Sequence, residues 1–282
     1  MEDIIISDQD KLAKIKKEIA GGGSENLYVL ADFDRTLTPA HSGNSLVSSL
    51  ISVLRSGGYL SSDYAPKAQA LYDHYHKIEI NGGFSDKEKK KAMKEWWIAH
   101  FELLIASGLK YGDLEKIADS GTIKLRPGCE EFLAILNNKK IPLIILSSSG
   151  AGREGISIFL KKAGKLHDNI AIVSNEFEWA PDGRALGVKQ PVIYAMNKNA
   201  VMIKDFPEAH SKVKNRKNVI LLGDSLADAE MIKGFDYGNI FKIGFLNERI
   251  RESLDDYKER YDVVILNDGP MKYVNDFLKI VL

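Results

Sequence analysis

Residues 29–44 read VLADFDRTLTPAHSGN, and the first half of that stretch decides the fold. An apolar run, NLYVLA, ends in two aspartates one residue apart, Asp32 and Asp34, with Thr36 two residues further on. Like charges at the end of a buried strand cost several kcal/mol unless something cationic lies between them. The stretch therefore poses two questions: whether the run is a buried strand, and what cation its acids face.

Four other runs answer the first. They are IPLIILS (141–147), NIAIVSN (169–175), NVILLGD (218–224) and DVVILND (262–268). Like NLYVLADFD (26–34), each is short, rich in Ile, Leu and Val, and ends in small or polar residues. Helical patterns such as CEEFLAILNN and REGISIFLKKAG separate them. Continuous apolar strands alternating with helices predict an α/β fold with a parallel sheet covered on both faces. Ligands in such folds sit at the carboxyl ends of the strands. Here those ends are Asp32 to Thr36, Ser147 to Gly150, Asn175, and Gly223 to Asp228.

The rhythm breaks between about residues 41 and 122, where only helical patterns occur. SLVSSLISVLRSGG reads as one helix and APKAQALYDHYHKIEI as a second. Ser85 and Glu88 form a capping box opening a third, DKEKKKAMKEWWIAHFELLIASG. KLRPGCEEFL, with Pro127 at a helix start, returns the chain to the core. At the N-terminus, Ser7 reads as the cap of a helix that stops at Gly21-Gly22-Gly23. That glycine run precedes a strand and lacks a GK[ST] ending, so it reads as a turn and not as a phosphate loop.

Bulk properties narrow the function. The 282 residues carry 39 Lys+Arg and 39 Asp+Glu, a formal net charge of zero, whereas a non-specific nucleic-acid binder is usually basic. A bound anion must be held by a local arrangement. The single cysteine, Cys129, permits no intrachain disulfide and favours a reducing compartment. There is no apolar run long enough to span a membrane, and the N-terminus is too charged for a signal peptide. A cytoplasmic protein without a membrane or nucleic-acid polymer as partner is expected; a monomer is favoured, but the oligomeric state is not read from the sequence.

The chemistry lies at the strand ends. Alternate residues of an extended chain point the same way, so Asp32 and Asp34 can act on one substrate, one as nucleophile and metal ligand, the other as proton donor. Thr36 offers a hydroxyl and an N–H to phosphate oxygens. In GDSLAD (223–228), Asp224 suits a further ligand of a hard cation, and Mg²⁺ prefers a few carboxylates with positions left for water and phosphate. Asp228 either hydrogen-bonds neighbouring groups or complements a helix N-terminus. Ser147-Ser148-Ser149-Gly150 places hydroxyls and N–H groups where a phosphate would sit, although helix capping also uses serine. A transferring phosphoryl group also needs a cation. Spacing alone does not choose among Lys189, Lys198 and Lys204.

DFDRTLT, the strand ending in Ser147, a lysine, and GDSLAD, in that order, resemble the four motifs of the haloacid dehalogenase superfamily of phosphohydrolases. The closer resemblance is to the cytosolic pyrimidine 5′-nucleotidase family. It is carried by GGGSENLYVLADFDRTLT, KIEI followed by KEWW, IPLIILSSSGAG, VSNEFEW, the NK of AMNKNA, NVILLGDSLADAEM and FKIGFLNERI. It implies a Rossmann-like core (residues 1–40 and 123–282) with a helical cap (41–122) inserted after the first strand. It also implies Mg²⁺-dependent hydrolysis of nucleoside 5′-monophosphates such as CMP and UMP.

In that reading Asp32 is the nucleophile and Asp34 the acid and base. Asp32, Asp34 and Asp224 hold the metal, with Asp228 in support. Thr36, Lys198 and either Ser147 or Ser148 hold the phosphate, because three serines stand where the family has Ser-Ala-Gly. Glu79 matches a family glutamate that contacts the base. A carboxylate there accepts from the cytosine amino group or the uracil N3–H. Trp96, Trp97, Tyr72 and Tyr75 offer stacking surfaces, though aromatics at helical spacing mostly pack. His74 and His76 do not have the spacing of a zinc site. His41 and Asn44 lie where an entrance is expected. The rival readings are a phosphatase of another small phosphomonoester, such as phosphoserine or a sugar phosphate, and a non-catalytic nucleotide-binding protein.

Overall fold

The computed structural model describes residues 3–42, 45–46, 49–81 and 83–282. Seven strands form the main sheet: β1 (Ile4–Ile6), β2 (Leu27–Ala31), β5 (Leu143–Leu146), β6 (Ile170–Val173), β9 (Asn218–Gly223), β10 (Asn239–Leu246) and β11 (Val263–Leu266). Their order is β1-β11-β10-β9-β2-β5-β6, with β1 antiparallel to β11 and every other pair parallel. Two small hairpins lie outside it, β3 (His41–Ser42) with β4 (Ser45–Leu46), and β7 (Phe177–Trp179) with β8 (Ala185–Val188).

All five expected runs are strands of the sheet, and each is buried along its length. Alternation divides them between two cores. Val29, Ala31, Leu143, Ile145, Ile220 and Leu222 pack on one face with helices α1 (Gln9–Gly22), α6 (Cys129–Asn138), α7 (Gly152–Lys162) and α10 (Lys272–Val281). Tyr28, Leu30, Ile144, Leu146, Val219 and Leu221 pack on the other with α8 (Pro207–Val213) and α9 (Ile250–Arg260). Burial on both faces is why these strands read as continuous apolar runs.

Several local readings are corrected. The cap of α1 is Asp8, whose side chain accepts from Lys11 N–H, while the Ser7 hydroxyl donates to the Tyr261 carbonyl. Residues 45–58 are not one helix: β4 precedes α2 (Leu50–Ser56), which Ser49 caps. Pro127 stands just outside α6, whose cap is Gly128 in the left-handed region. Strands β1 and β10 were not legible as strands. The Ser85–Glu88 capping box forms as expected and opens α4 (Asp86–Ala106), which contacts α3 (Tyr64–Ile80), with α5 (Tyr111–Asp119) following. Among the described residues no helix is long and apolar enough to cross a membrane.

Register places the site. Ala31 lies opposite Leu222 on one side and Ile145 on the other. Asp32, Asp224 and Ser147 therefore emerge together at the carboxyl edge of three adjacent strands, β9, β2 and β5.

Candidate active site

The chain leaves β2 at Asp32, whose N–H donates to the Leu222 carbonyl at 3.0 Å. It then turns sharply over a buried Phe33. The Phe33 carbonyl accepts from Leu37 N–H at 3.0 Å and Thr38 N–H at 3.2 Å, and Arg35 sits in the left-handed region at φ 61°. The turn leaves the Asp34 Oδ1 and Thr36 Oγ1 atoms buried without a partner. Unpartnered buried oxygens are costly, and a ligand bound at this turn would give these two a partner.

Lys198 comes from a 3₁₀ segment, Ala195–Ala200. Its ammonium is buried and donates to Asp32 Oδ1 at 2.6 Å and Asp228 Oδ1 at 2.8 Å. The other Asp228 oxygen accepts from Asp224 N–H at 3.2 Å, Ser225 N–H at 3.0 Å and the Ser225 hydroxyl at 2.8 Å. Asp228 is thus saturated and braces the turn after β9. A Cβ at Gly223 would lie 2.4 Å from the Asp228 Cβ, so glycine is what lets that carboxylate close over the strand end. Tyr257 and Tyr261 donate their hydroxyls to the carbonyls of Asp224 and Ser225.

Burial pushes the Asp32 carboxyl up to about 7, against the pull of Lys198, and pushes Asp34 up to about 6. Asp224 is also raised, by burial first and then by the charges of Asp228 and Asp32. Burial opposes the Lys198 charge, but Asp228 and Asp32 outweigh it and its pKa is raised. One oxygen from each of Asp32, Asp224 and Asp228 lies within 4.8 Å of the others. Crowded carboxylates, with Asp32 and Asp224 resisting ionisation, beside an unpartnered Asp34 oxygen, fit a hard divalent cation. Since Asp228 is already committed to Lys198 and the turn, Asp32 and Asp224 are the carboxylates left for it.

Ser147 is buried at the end of β5, and its Oγ accepts from Ser149 N–H at 3.2 Å, which leaves its own hydrogen to donate. Ser149 Oγ accepts from Ala151 N–H, while Ser148 is half-buried. Asn175, the carboxyl end of β6, bonds both sides of the next connection, accepting from Ile193 N–H at 2.7 Å and donating to its carbonyl at 2.8 Å. Lys189 and Lys204, the other lysines considered, are exposed, and Lys189 pairs with Glu176 at 2.5 Å. A cavity of about 560 Å³ bounded by Ser174, Asn175, Asn197 and Phe206 holds none of the strand-end acids.

Helices α3 and α4 bring a different set of side chains. Tyr75 stacks on Trp96 at 5.9 Å between centroids, and Trp96 on Trp97 at 5.8 Å. These pack with Met93 against Tyr194 and Met196, beside Lys198 in sequence. Glu79 is half-exposed and bonds His76 Nδ1 at 3.1 Å; the His76 ring stacks on Tyr72. No hydrogen bond joins Glu79 to the strand-end acids among the described residues. His41 pairs with Glu248 at 3.1 Å, and Asn44 lies outside the described residues.

Two buried groups escaped sequence reading. Arg126 sits behind the turn at Arg35–Thr38, and His100 of α4 reaches Gly150, its Nε2 lying 3.5 Å from the carbonyl. Neither belongs to a spacing pattern. The only signal for Arg126 was a charged residue beside Pro127 where the chain re-enters the core.

The sequence model of the pyrimidine 5′-nucleotidase (UMPH-1) family matches residues 35–282. The chain belongs to that family. The pyrimidine 5′-nucleotidases are phosphoric monoester hydrolases. The chain is 31% identical over 274 residues to the 7-methylguanosine phosphate-specific 5′-nucleotidase A of Xenopus laevis, a match spanning 97% of this chain and 92% of that protein. Its fold superposes on a crystal structure of cytosolic 5′-nucleotidase IIIB bound to cytidine with a TM-score of 0.89, at 27% identity over 100% of this chain and 93% of the other. A HAD-family hydrolase of Salmonella enterica shares the fold at a TM-score of 0.52 and 17% identity, covering 90% of this chain and 71% of that one.

Proposed function

We propose that this 5′-nucleotidase is Mg²⁺-dependent and hydrolyses pyrimidine nucleoside 5′-monophosphates, CMP and UMP, through an aspartyl-phosphate. The observation that carries the reading is the Asp32 carboxylate, buried at a strand end and gripped by Lys198 at 2.6 Å, with Asp34 two residues on. An Asp32 oxygen attacks phosphorus as the P–O5′ bond breaks, and Asp34 gives its proton to O5′. Asp34, now ionised, takes a proton from water as that water attacks phosphorus, which releases phosphate and restores Asp32. A group held near pKa 6 exchanges a proton at neutral pH at low cost.

Thr36, Lys198 and Ser147 hold the non-bridging oxygens. Ser147 is favoured over Ser148 because its hydroxyl is oriented by Ser149 N–H. Asp32 and Asp224, with the Asp34 carbonyl, would hold Mg²⁺, which supplies positive charge to a dianionic phosphate. The helical insertion, residues 41–122, serves as the cap, and Glu79 accepts a hydrogen bond from the base.

A second reading of the base rests on the name of the 31%-identical relative and on the stacked Tyr75, Trp96 and Trp97. In it 7-methylguanosine monophosphate is the substrate, its cationic base held by aromatic faces. The kcat/KM values of CMP, UMP, GMP and 7-methyl-GMP, with and without Mg²⁺, separate the readings. A preference for the methylated over the plain purine supports the second. Turnover of none of the four rejects both.

A further inference from the structure

The chain leaves the core for the insertion at Ala40–His41 and returns to it at Arg126, and one fully buried guanidinium touches both crossings. Arg126 Nε donates to the Thr36 carbonyl at 2.7 Å. Nη1 donates to the Gly269 carbonyl at 2.7 Å and pairs with Asp268 at 2.9 Å. Nη2 faces the Arg35 carbonyl, the Thr38 carbonyl at 3.3 Å and Asn247 Oδ1 at 3.2 Å. The Phe245 ring lies 4.3 Å from its Cζ, and the Arg126 N–H itself donates to the Leu37 carbonyl at 2.8 Å. Asp268 completes the knot by accepting from Ala40 N–H at 2.9 Å and His41 N–H at 2.8 Å. Asp268 and Asn267 both lie in the left-handed region, at φ 53° and 57°, which Asn and Asp enter more readily than other non-glycine residues, and the turn they make aims the Asp268 carboxylate at Ala40 and His41.

We propose that Arg126 and Asp268 are a positioning pair, a fixed pivot that clamps the turn carrying Asp34 and Thr36 and anchors both linkers of the insertion. It rests on the roles given to Asp34 and Thr36 above. The insertion is attached to the core within a few residues of the reacting groups, so any movement of it would pull on the turn. Carbonyls bonded to a buried, planar cation resist that pull. Lysine could not replace the arginine, because it is a point charge without the fork that spans several carbonyls.

Arg126→Lys and Asp268→Asn test the pair in the full-length enzyme. Arg126→Lys should lower kcat about 100-fold, the scale of an ångström-sized misplacement of reacting groups. The loss should be equal on CMP and on an aryl phosphate, with KM little changed. Free guanidinium ion should restore part of the activity of Arg126→Ala. Amide hydrogen exchange should accelerate at residues 35–41 and stay unchanged in β5 and β9. A lowered melting temperature with unchanged kcat and unchanged exchange at 35–41 would overturn the pivot and leave Arg126 merely structural. Should Arg126→Lys fail to fold, Asp268→Asn keeps the guanidinium and its carbonyl bonds, and faster exchange at Ala40 and His41 is the result required. A wild-type enzyme that turned over no phosphomonoester would reject the proposed function, while the exchange data would still decide the pivot.

Discussion

The carboxyl edge of the sheet and the surface of the α3–α4 pair differ in how their polar groups are held. At the edge, Asp32, Lys198 and Asp228 are buried and bonded to one another. On the helices, Glu79 is half-exposed and held by one histidine, among aromatic rings that stack on each other. The first arrangement costs desolvation energy that only a fixed reaction geometry justifies. The second can change its partners cheaply. In the mechanism proposed here the edge carries chemistry common to any phosphomonoester, and the helices carry the choice of one.

The sharpest way to break that division is Asp32→Asn. Without a nucleophilic carboxylate, turnover should fall by about 10⁴-fold or more on every substrate while the protein still folds. Retention of more than about a tenth of the wild-type rate would remove Asp32 from the chemistry. Asp224→Ala comes next, with a loss on the order of 10³-fold, the scale of several kcal/mol of charge stabilisation. The variant should also lose its response to added Mg²⁺, and full wild-type activity in a strong chelator would contradict the metal's part.

Glu79→Ala sharpens the other half of the comparison. A hydrogen bond to a charged group is worth roughly 1.5–3 kcal/mol, or about a 10- to 150-fold loss in kcat/KM. That loss should appear with CMP and be nearly absent with a baseless aryl phosphate. Equal losses on both would make Glu79 structural, and no loss on either would leave it a solvated surface acid.

A change in stability and not in catalysis tests the seam between the two regions, where a Cβ on Gly150 would lie 2.8 Å from His100 Nε2. Burial pushes the His100 imidazole down to about 4 from 6.5. The unfolded chain therefore binds the extra proton between those values, and His100 costs stability progressively as pH falls from 6.5 towards 4, by up to about 1.4 kcal/mol per pH unit. The unfolding free energy of the wild type should drop relative to that of His100→Phe across this window. Parallel curves would mean that the imidazole is not buried as neutral.

What was legible in the sequence follows from how strongly each feature repeats. Strands buried on both faces leave an uninterrupted apolar signature, so β2, β5, β6, β9 and β11 were readable. Strand β10 was not, because Lys242 interrupts NIFKIGFL and Leu246 is followed by no turn of recognisable chemistry. Asp32, Lys198 and Asp228 do converge, yet the choice of Lys198 came from family resemblance, since three lysines stood in similar surroundings. Arg126 makes its bonds to backbone carbonyls and His100 approaches one, and a carbonyl has no letter in the sequence. Whether α2 would be one long helix or a short one after β4 turned on Ser49, a cap indistinguishable by eye from its neighbour Ser48.

The most direct test of the central claim is to catch the phosphoryl group on the enzyme. Protein mixed with an aryl phosphate and Mg²⁺, quenched in acid within a turnover and digested, should yield the peptide containing Asp32 with one phosphoryl group attached. Because an aryl oxide leaves without a proton from Asp34, Asp34→Asn should still form the adduct and should accumulate more of it as breakdown by water is slowed. A wild-type enzyme that releases phosphate in that time course with no phosphoryl group on the Asp32 peptide, in either protein, would contradict the account.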